Sequence, residues 1–338
     1  MDPADKILLD HGSGGRIAHR LLRDLLLPAF DNPALAELND GAILEVEGSR
    51  LAFSTDSYTV DPIFFPGGDI GDLAVNGTVN DLAMCGARPL ALSAAFILEE
   101  GFPLEDFRRI LGTMARAARE AGVAIVTGDT KVVPRGAADR VFINTSGIGL
   151  IPPGVRVASH RARPGDRILL SGSLADHGVS VLAGREGLAF QTTVQSDTAP
   201  LHRMVAAMLA AGGEAVHVLR DPTRGGLGTA LNEIAESSGV GVLIHEETIP
   251  LKPEVAGLCE LLGFDPLYLA NEGKLVAFVH PEAAEAVLAA VRADPAGRDA
   301  AWIGEALAAP AGRVVMQTRI GGRRIVDMLS GEQFPRIC

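Results

Sequence analysis

Val123-Ala124-Ile125-Val126-Thr127-Gly128-Asp129-Thr130-Lys131 is the stretch that decides the fold class. Its first four residues are apolar and read as a buried strand. They run into a glycine, an acid, a hydroxyl and a cation, and open α/β sheets place their ligands at such strand ends. The stretch is not a P-loop, which needs Gly-Lys-Ser/Thr after a longer loop and before a helix. Just upstream, residues 103–121 carry a helical pattern, with Pro103 in the first turn and Gly122 past the end. Residues 90–97 read as the strand before that helix, and Val141–Ile151 as the strand after the motif. Alternating strands and helices imply an α/β chain.

Toward the N-terminus, two short strands are expected at 43–46 and 51–54, with Asp56 following the second. An acid at a strand end suits a metal–phosphate complex, although such acids also simply form turns. After Phe64-Phe65-Pro66-Gly67-Gly68-Asp69 a helix is expected over 70–85, with Ile70, Leu73, Ala74 and Leu82 on its apolar side. Asp72, Asn76 and Asn80 are spaced i, i+4, i+8 and share one stripe, with Asp81 beside it. Short Asn and Asp side chains are poor helix formers, so the stripe points to a metal or nucleotide rather than to a solvated face. Residues 1–40 read as an arm in which His11-Gly12-Ser13-Gly14-Gly15 precedes a basic amphipathic helix, 16–27, stopped by Pro28. Gly12, Gly14 and Gly15 suit backbone contact with phosphate; a plain flexible turn has the same composition.

Toward the C-terminus, Pro152-Pro153-Gly154 and the arginine-rich run to Pro164-Gly165 mark a domain junction. Strands and helices alternate again: strand 167–171, helix 174–183, a polar loop over 189–199, helix 201–211 and strand 215–219. Asp221-Pro222-Thr223-Arg224-Gly225-Gly226 then opens a helix to 237, either as an anion site or as an ordinary capped start. In the loop 265–273, Glu272 is an acid in largely uncharged company; burial would raise its pKa and suit it to moving protons. A helix over 281–292, a strand near 301–303 and a hairpin about Gly321-Gly322 close the body. The expected division is an arm (1–40), an N-terminal domain (41–153), a C-terminal domain (154–320) and a tail (321–338).

The tail ends Phe334-Pro335-Arg336-Ile337-Cys338, so the last residue is a thiol on a chain end. A mobile end carrying a nucleophile can be loaded in one place and delivered in another. Cys85 and Cys259 sit among apolar neighbours and read as buried structural thiols; the three cysteines show no paired metal-ligand spacing. The chain has 338 residues, 47% hydrophobic and 21% charged, enough for two globular domains. A formal net charge of -12 argues against non-specific nucleic-acid or anionic-membrane binding. The N-terminus lacks a signal pattern and apolar runs are short, so the expectation is a soluble, cytoplasmic protein.

His11–Gly15 (HGSGG), Thr55-Asp56-Ser57, the segment 64–87 with Asn80-Asp81-Leu82-Ala83-Met84, the Gly128 motif, Asp221 to Leu227, Asp265 to Gly273 and terminal Pro335-Arg336-Ile337-Cys338 together resemble the HypE carbamoyl dehydratase family of nickel–iron hydrogenase maturation. The glycine–acid motifs alone indicate only the wider aminoimidazole ribonucleotide synthetase-like (PurM-like) superfamily; the terminal tetrapeptide makes the match specific. The resemblance implies a two-domain PurM-like α/β (α+β) fold that dimerises through its N-terminal domain and binds ATP near that interface. It implies that the terminal cysteine receives a carbamoyl group from the carbamoyltransferase HypF. ATP then drives dehydration to a thiocyanate, and the cyano group passes to iron on a HypC–HypD complex.

That chemistry needs a thiol, ATP, Mg2+, a cation and a base, because a thiocarbamate oxygen leaves readily only once phosphorylated. Cys338 is the expected substrate carrier. Asp56, Asp81, Asp129 and Asp221 are the expected Mg2+ ligands. Lys131 offsets phosphoryl charge, and Glu272 takes the N–H protons. Arg336 pairs with the terminal carboxylate or with phosphate, while Gly12, Gly14, Gly15, Asp56, Asn76, Asn80, Asp81, Asp129, Thr130 and Lys131 form the nucleotide site. From Gly331 the arm spans at most roughly 25 Å. The rival readings are a small-molecule kinase or synthetase of the same superfamily, a docking protein with a peptide tail, and redox sensing by Cys338, for which no resolving thiol is nearby.

Overall fold

The computed structural model describes residues 6–12, 14–185, 192–331 and 336–338. Ser13, Phe334, Pro335 and part of the expected loop 189–199 lie outside the described residues. The arm begins with α1 (Arg16–Leu21), passes through a π-helical turn (Leu22–Leu26) into α2 (Leu27–Phe30) and ends in α3 (Pro33–Ala36). Pro28 therefore does not stop the helix. It sits in the first turn of α2, where its missing N–H costs little.

The N-terminal body is built from β1 (Ala42–Val46), β2 (Ser49–Tyr58), the small hairpin β3 (Phe64–Phe65) and β4 (Gly68–Asp69), α4 (Ile70–Met84), β5 (Arg88–Glu99), α5 (Leu104–Ala121), β6 (Ala124–Val133) and β7 (Val141–Ile151). Among the described residues its main sheet runs β1-β2-β7-β5-β6. β5 and β6 are parallel and joined by the crossover helix α5, while the other pairings are antiparallel. α5 is amphipathic, burying Ile110, Met114, Ala117, Ala118 and Ala121, and ends on Gly122 at φ +68. α4 starts with a capping box in which Asp69 and Asp72 cap each other's backbone. It is buried on nearly every side, so it shows no single apolar stripe.

Two expected strand ends prove to be strand interiors. β2 continues through Asp56 to Tyr58, because its ladder with β7 runs unbroken from Arg50↔Ile151 to Tyr58↔Ile143. β6 continues through Gly128-Asp129-Thr130-Lys131 to Val133, because β5 offers partners along that whole length. Gly128 is needed there, since a Cβ would stand 1.9 Å from the Ala94 carbonyl oxygen.

The C-terminal body comprises β8 (Arg167–Leu170), α6 (Asp176–Ala183), α7 (His202–Gly212), β9 (Val216–Arg220), α8 (Gly226–Ser238), β10 (Gly241–His245), α9 (Pro253–Leu262), β11 (Val276–Val279), α10 (Ala284–Ala293), β12 (Ala301–Leu307), β13 (Arg313–Gln317) and β14 (Arg323–Val326). Its sheet runs β14-β13-β10-β12-β8-β11-β9. The hairpin about Gly321-Gly322 is formed, and β14 pairs with β13. One face of the sheet buries Ile168, Val218 and Phe278 against Leu231 and Ile234 of α8 and Val255 and Cys259 of α9. The other buries Leu169, Leu219 and Val279 against α7 and α10, and this core also takes in Ala83 and Met84 from the end of α4. The two bodies therefore share a core where α4 meets α7. Cys85 and Cys259 are buried, as expected. No helix among the described residues is long and apolar enough to cross a membrane.

Candidate active site

The last three residues lie in the cleft between the bodies. The terminal carbonyl oxygen of Cys338 accepts from the Thr59 N–H at 2.9 Å and from the Thr59 hydroxyl at 3.3 Å. The Ile337 carbonyl accepts from His177 Nε2 at 2.8 Å, and its side chain joins the N-terminal core. The Arg336 carbonyl accepts from the Asp61 N–H at 3.0 Å and from Arg185 at 3.2 Å. Arg336 stands at φ +58. Its guanidinium binds the Thr59 carbonyl (2.7 Å) and pairs with Asp139. It thus anchors the tail to β2–β7 surroundings instead of pairing with the terminal carboxylate.

This clamp sets the Cys338 thiol beside Arg224, Glu272 and Asp56. Burial pushes the thiol up to about 12; the two acids push the same way, while Arg224, which hydrogen-bonds it, opposes them. Docked, the sulfur is a protonated thiol and a poor nucleophile. The Arg224 guanidinium is 3.9 Å from Asp56 and is itself held above its ordinary value, chiefly by Cys338.

Glu272 is 4% exposed, with Oε1 unpartnered among the described residues. Desolvation, then Asp221, Asp56 and Asp197, push its carboxyl well above the ordinary range. The loop that carries it is stitched in place. Asn271 accepts from the Ala175 N–H (2.7 Å) and donates to the Pro222 carbonyl (3.0 Å), and the Glu272 N–H donates to Asp197 (3.1 Å), which also pairs with buried Lys274 (3.1 Å). Gly273 lets this loop touch the segment at 197, where a Cβ would clash with a carbonyl oxygen. Asp81 accepts from Ser54 at 2.6 Å and is raised well above its usual value by burial, then by Asp221, Asp56 and Asp40. Asp221 is raised to about 6, mainly by burial.

Behind these acids, Arg220 joins Asp40 and Glu233 at 2.7 Å each, and Glu233 accepts from His19 of the arm at 2.6 Å. A cavity of about 200 Å³ lies between arm and body, lined by Gly14, His19, Asp221, Thr223, Arg224 and Glu233 among others. Gly14 packs on Arg224, at φ +75 and with 2.9 Å available to a Cβ. Gly15 packs on the Leu329 carbonyl, and Gly12 faces open space. Of the expected glycines, Gly14 lines this cavity and Gly12 and Gly15 do not.

The remaining expected residues fall elsewhere. Asn80 is fully used inside the protein: it donates to the Ala199 and Glu272 carbonyls (3.0 and 3.1 Å) and accepts from the Leu201 N–H (2.8 Å). Asn76 donates to Thr198, and its Oδ1 is buried without a partner among the described residues. Asp72 serves the α4 cap and pairs with Arg116. Asn76 and Asn80 thus face residues 198–201, while Asp72 faces α5. Asp129 and Lys131 pair with each other at 2.8 Å, and their side chains are 62% and 69% exposed. They share the open face of the sheet with Ala95 and Ile97, whereas Asp56 shares the α4 side with Thr145. Three interstrand spacings, about 14 Å, separate Asp129 from Asp56, so one ion cannot join them within one chain. Thr130, registered with Phe96 on the α5 side, lines a cavity of about 510 Å³ under β5 and β6.

Among the described residues, no three His, Cys, Asp or Glu side chains converge as a ready metal site. Asp221 nevertheless raises both Asp81 and Glu272 in one buried place, with Arg220 and Arg224 beside it. Two carboxylates completed by substrate phosphates suit Mg2+, so the donors fit the ion.

The AIR synthase related protein models match this chain over residues 38–151 (N-terminal domain) and 163–317 (C-terminal domain). Carbamoyl dehydratase HypE of Bradyrhizobium diazoefficiens is 58% identical over 330 residues, covering 98% of this chain and 95% of the relative. The chain belongs to the HypE family. A solved HypE in complex with ATP superposes with a TM-score of 0.83 at 56% identity, covering 98% of this chain and 100% of that one. A HypE–HypF complex gives 0.87 at 49%, covering 91% and 99%. The fold is thus that of the PurM-like superfamily, as the motifs implied.

Four contributors to the site escape a reading of the sequence. Arg224, within the quoted Asp221 motif, carried no assigned role. Thr59, Asp139 and His177 lie outside every motif, because what they bind is the backbone or the arginine of the tail.

Proposed function

We propose that this protein is a carbamoyl dehydratase that converts an S-carbamoyl group on Cys338 into an S-cyano group with ATP, for the cyanide ligands of hydrogenase iron. The observation that carries the reading is the docked tail, which sets the Cys338 sulfur beside Arg224 and Glu272. The curated names of relatives at 48 to 58% identity support it, as do the ATP-bound and HypF-bound members of the family.

The docked thiol, held protonated, is loaded outside the cleft; HypF is the carbamoyl donor. On return, ATP phosphorylates the carbamoyl oxygen, the N–H protons leave, and phosphate departs as the C≡N bond forms. Arg224 stabilises negative charge beside sulfur. Glu272 receives a proton once positive charge near Asp56 and Asp221 lowers its pKa, which burial and those acids now hold up. Mg2+ supplies that charge and screens the phosphates when bound. Closure over the tail excludes water from the intermediate. HypC–HypD iron is the acceptor.

The open sheet face and free edge β6, where Ile125, Val126 and Val132 are exposed, support a homodimer through the N-terminal domain. Because Lys131 and Asp129 lie far from Asp56 within one chain, they act across that dimer. Arm 1–40, domains 41–153 and 154–320, and tail 321–338 form the working units, in the cytoplasm. The test is intact-mass spectrometry with HypF, a carbamoyl donor and ATP. A carbamoyl gain followed by loss of water, abolished by Cys338→Ala, is expected. ATP turnover on a free metabolite without Cys338 would favour the kinase rival instead.

A further inference from the structure

His177 is fully buried at the start of α6 and has no part in the reaction above. Its two ring nitrogens are both occupied at 2.8 Å: Nδ1 by the Ser196 hydroxyl and Nε2 by the Ile337 carbonyl. Ser196 Oγ already accepts from the Thr198 N–H at 3.2 Å. The Ile337 carbonyl can only accept, so Nε2 carries a proton pointed at the tail; burial keeps the imidazole neutral, and Nδ1 then accepts from the Ser196 hydroxyl. The Ser196 backbone is fixed by its N–H bond to the Pro66 carbonyl at 2.8 Å, and Phe65 packs edge-on to the imidazole at 5.5 Å between centroids. Ile337 is the residue bonded to Cys338, so this contact lies one peptide from the reacting sulfur. The neighbouring Asp197 holds the Glu272 N–H. Adjacent residues of one segment thus secure the sulfur-bearing tail and the Glu272 loop.

We propose that His177 is a positioning residue for the terminal cysteine: a neutral imidazole, its Nδ1 held by the Ser196 hydroxyl, that latches the tail by donating from Nε2 to the Ile337 carbonyl. The inference deepens the proposed function, since it concerns the arm on which that reading rests. Its test does not use turnover. His177→Phe keeps the ring and its contact with Phe65 but removes the donor, whereas His177→Gln returns an N–H near the Nε2 position. Leaving a buried carbonyl without its donor shifts docking by about 5- to 150-fold.

The readout is the rate of Cys338 alkylation by iodoacetamide, followed by intact mass with peptide mapping. Faster labelling of Cys338 in His177→Phe, return toward the wild-type rate in His177→Gln, and silent Cys85 and Cys259 throughout are expected. Wild-type labelling in a folded His177→Phe protein overturns the proposal. Should the phenylalanine variant also expose Cys85 or Cys259, imidazole 15N NMR of the wild-type chain decides. There, deletion of residues 336–338 must shift the His177 Nε2–H signal, and an unmoved signal overturns the latch. Because neither readout needs ATP or HypF, failure of carbamoyl dehydration and failure of the latch are separately visible.

Discussion

Arg336→Ala should release the tail. Arg336 contributes a charged hydrogen bond to the Thr59 carbonyl at 2.7 Å and a part-exposed pair with Asp139. A hydrogen bond from a charged donor is worth about 1.5–3 kcal/mol, and an exposed pair about 0.2–1 kcal/mol. Together they give about 1.7–4 kcal/mol, a shift of roughly 20- to 900-fold in the docked-to-free ratio. The backbone bonds at Asp61, His177 and Thr59 survive the substitution, so the loss stays in that range. The docked thiol, held at about 12, is almost inert to alkylation at neutral pH, whereas a free tail cysteine returns toward the ordinary value near 8.5. Alkylation of Cys338 therefore reports the free fraction. In a stopped time course with iodoacetamide at pH 7.5, the variant's Cys338 should react tens to hundreds of times faster, with Cys85 and Cys259 unchanged. Arg336→Lys should fall between, because lysine lacks the forked geometry. Equal rates in wild type and Arg336→Ala would show that the side chain does not hold the tail, and the clamp argument would be wrong.

Glu272→Gln should bind ATP and accept the carbamoyl group yet dehydrate about 10²- to 10⁴-fold more slowly, measured by the mass loss of water; wild-type turnover removes Glu272 from the mechanism. Lys131→Ala should slow phosphoryl transfer more than tail loading, and equal loss of both would point to misfolding. Asp221 is raised to about 6 from 3.8, so the folded state holds its proton where the unfolded chain has lost it, and stability falls as pH rises through that window. Fully ionised, Asp221 costs the fold about 3 kcal/mol; Asp221→Asn should therefore lose less melting temperature than wild type between pH 4 and pH 8 without Mg2+, and identical slopes would refute the assignment. Gly226→Ala should destabilise by more than ~2 kcal/mol, because φ is +61 and a Cβ would stand 2.5 Å from the Leu267 carbonyl oxygen; a denaturant midpoint equal to wild type counts against it.

The alternation of strands and helices, the family motifs and the presence of a thiol on the last residue were all legible in the sequence. Local patterns carry them: apolar periodicity writes α5 and β7 directly into residue order, and a terminal thiol needs no fold to be noticed. The reach of β2 and β6 was not legible, because a strand ends where its partner ends, and partners are distant in sequence. The stripe Asp72, Asn76, Asn80 was visible, but the burial of Asn76 and Asn80 against residues 198–201 was not. Asp56 and Asp129 look alike in sequence, and only the pleat of the sheet puts them on opposite faces, three strands apart. The tertiary structure alone joined His177, Thr59 and Arg224 to the tail. These contacts span more than a hundred residues of chain, and a hydrogen bond to a backbone carbonyl leaves no mark on the identity of the residue that owns it.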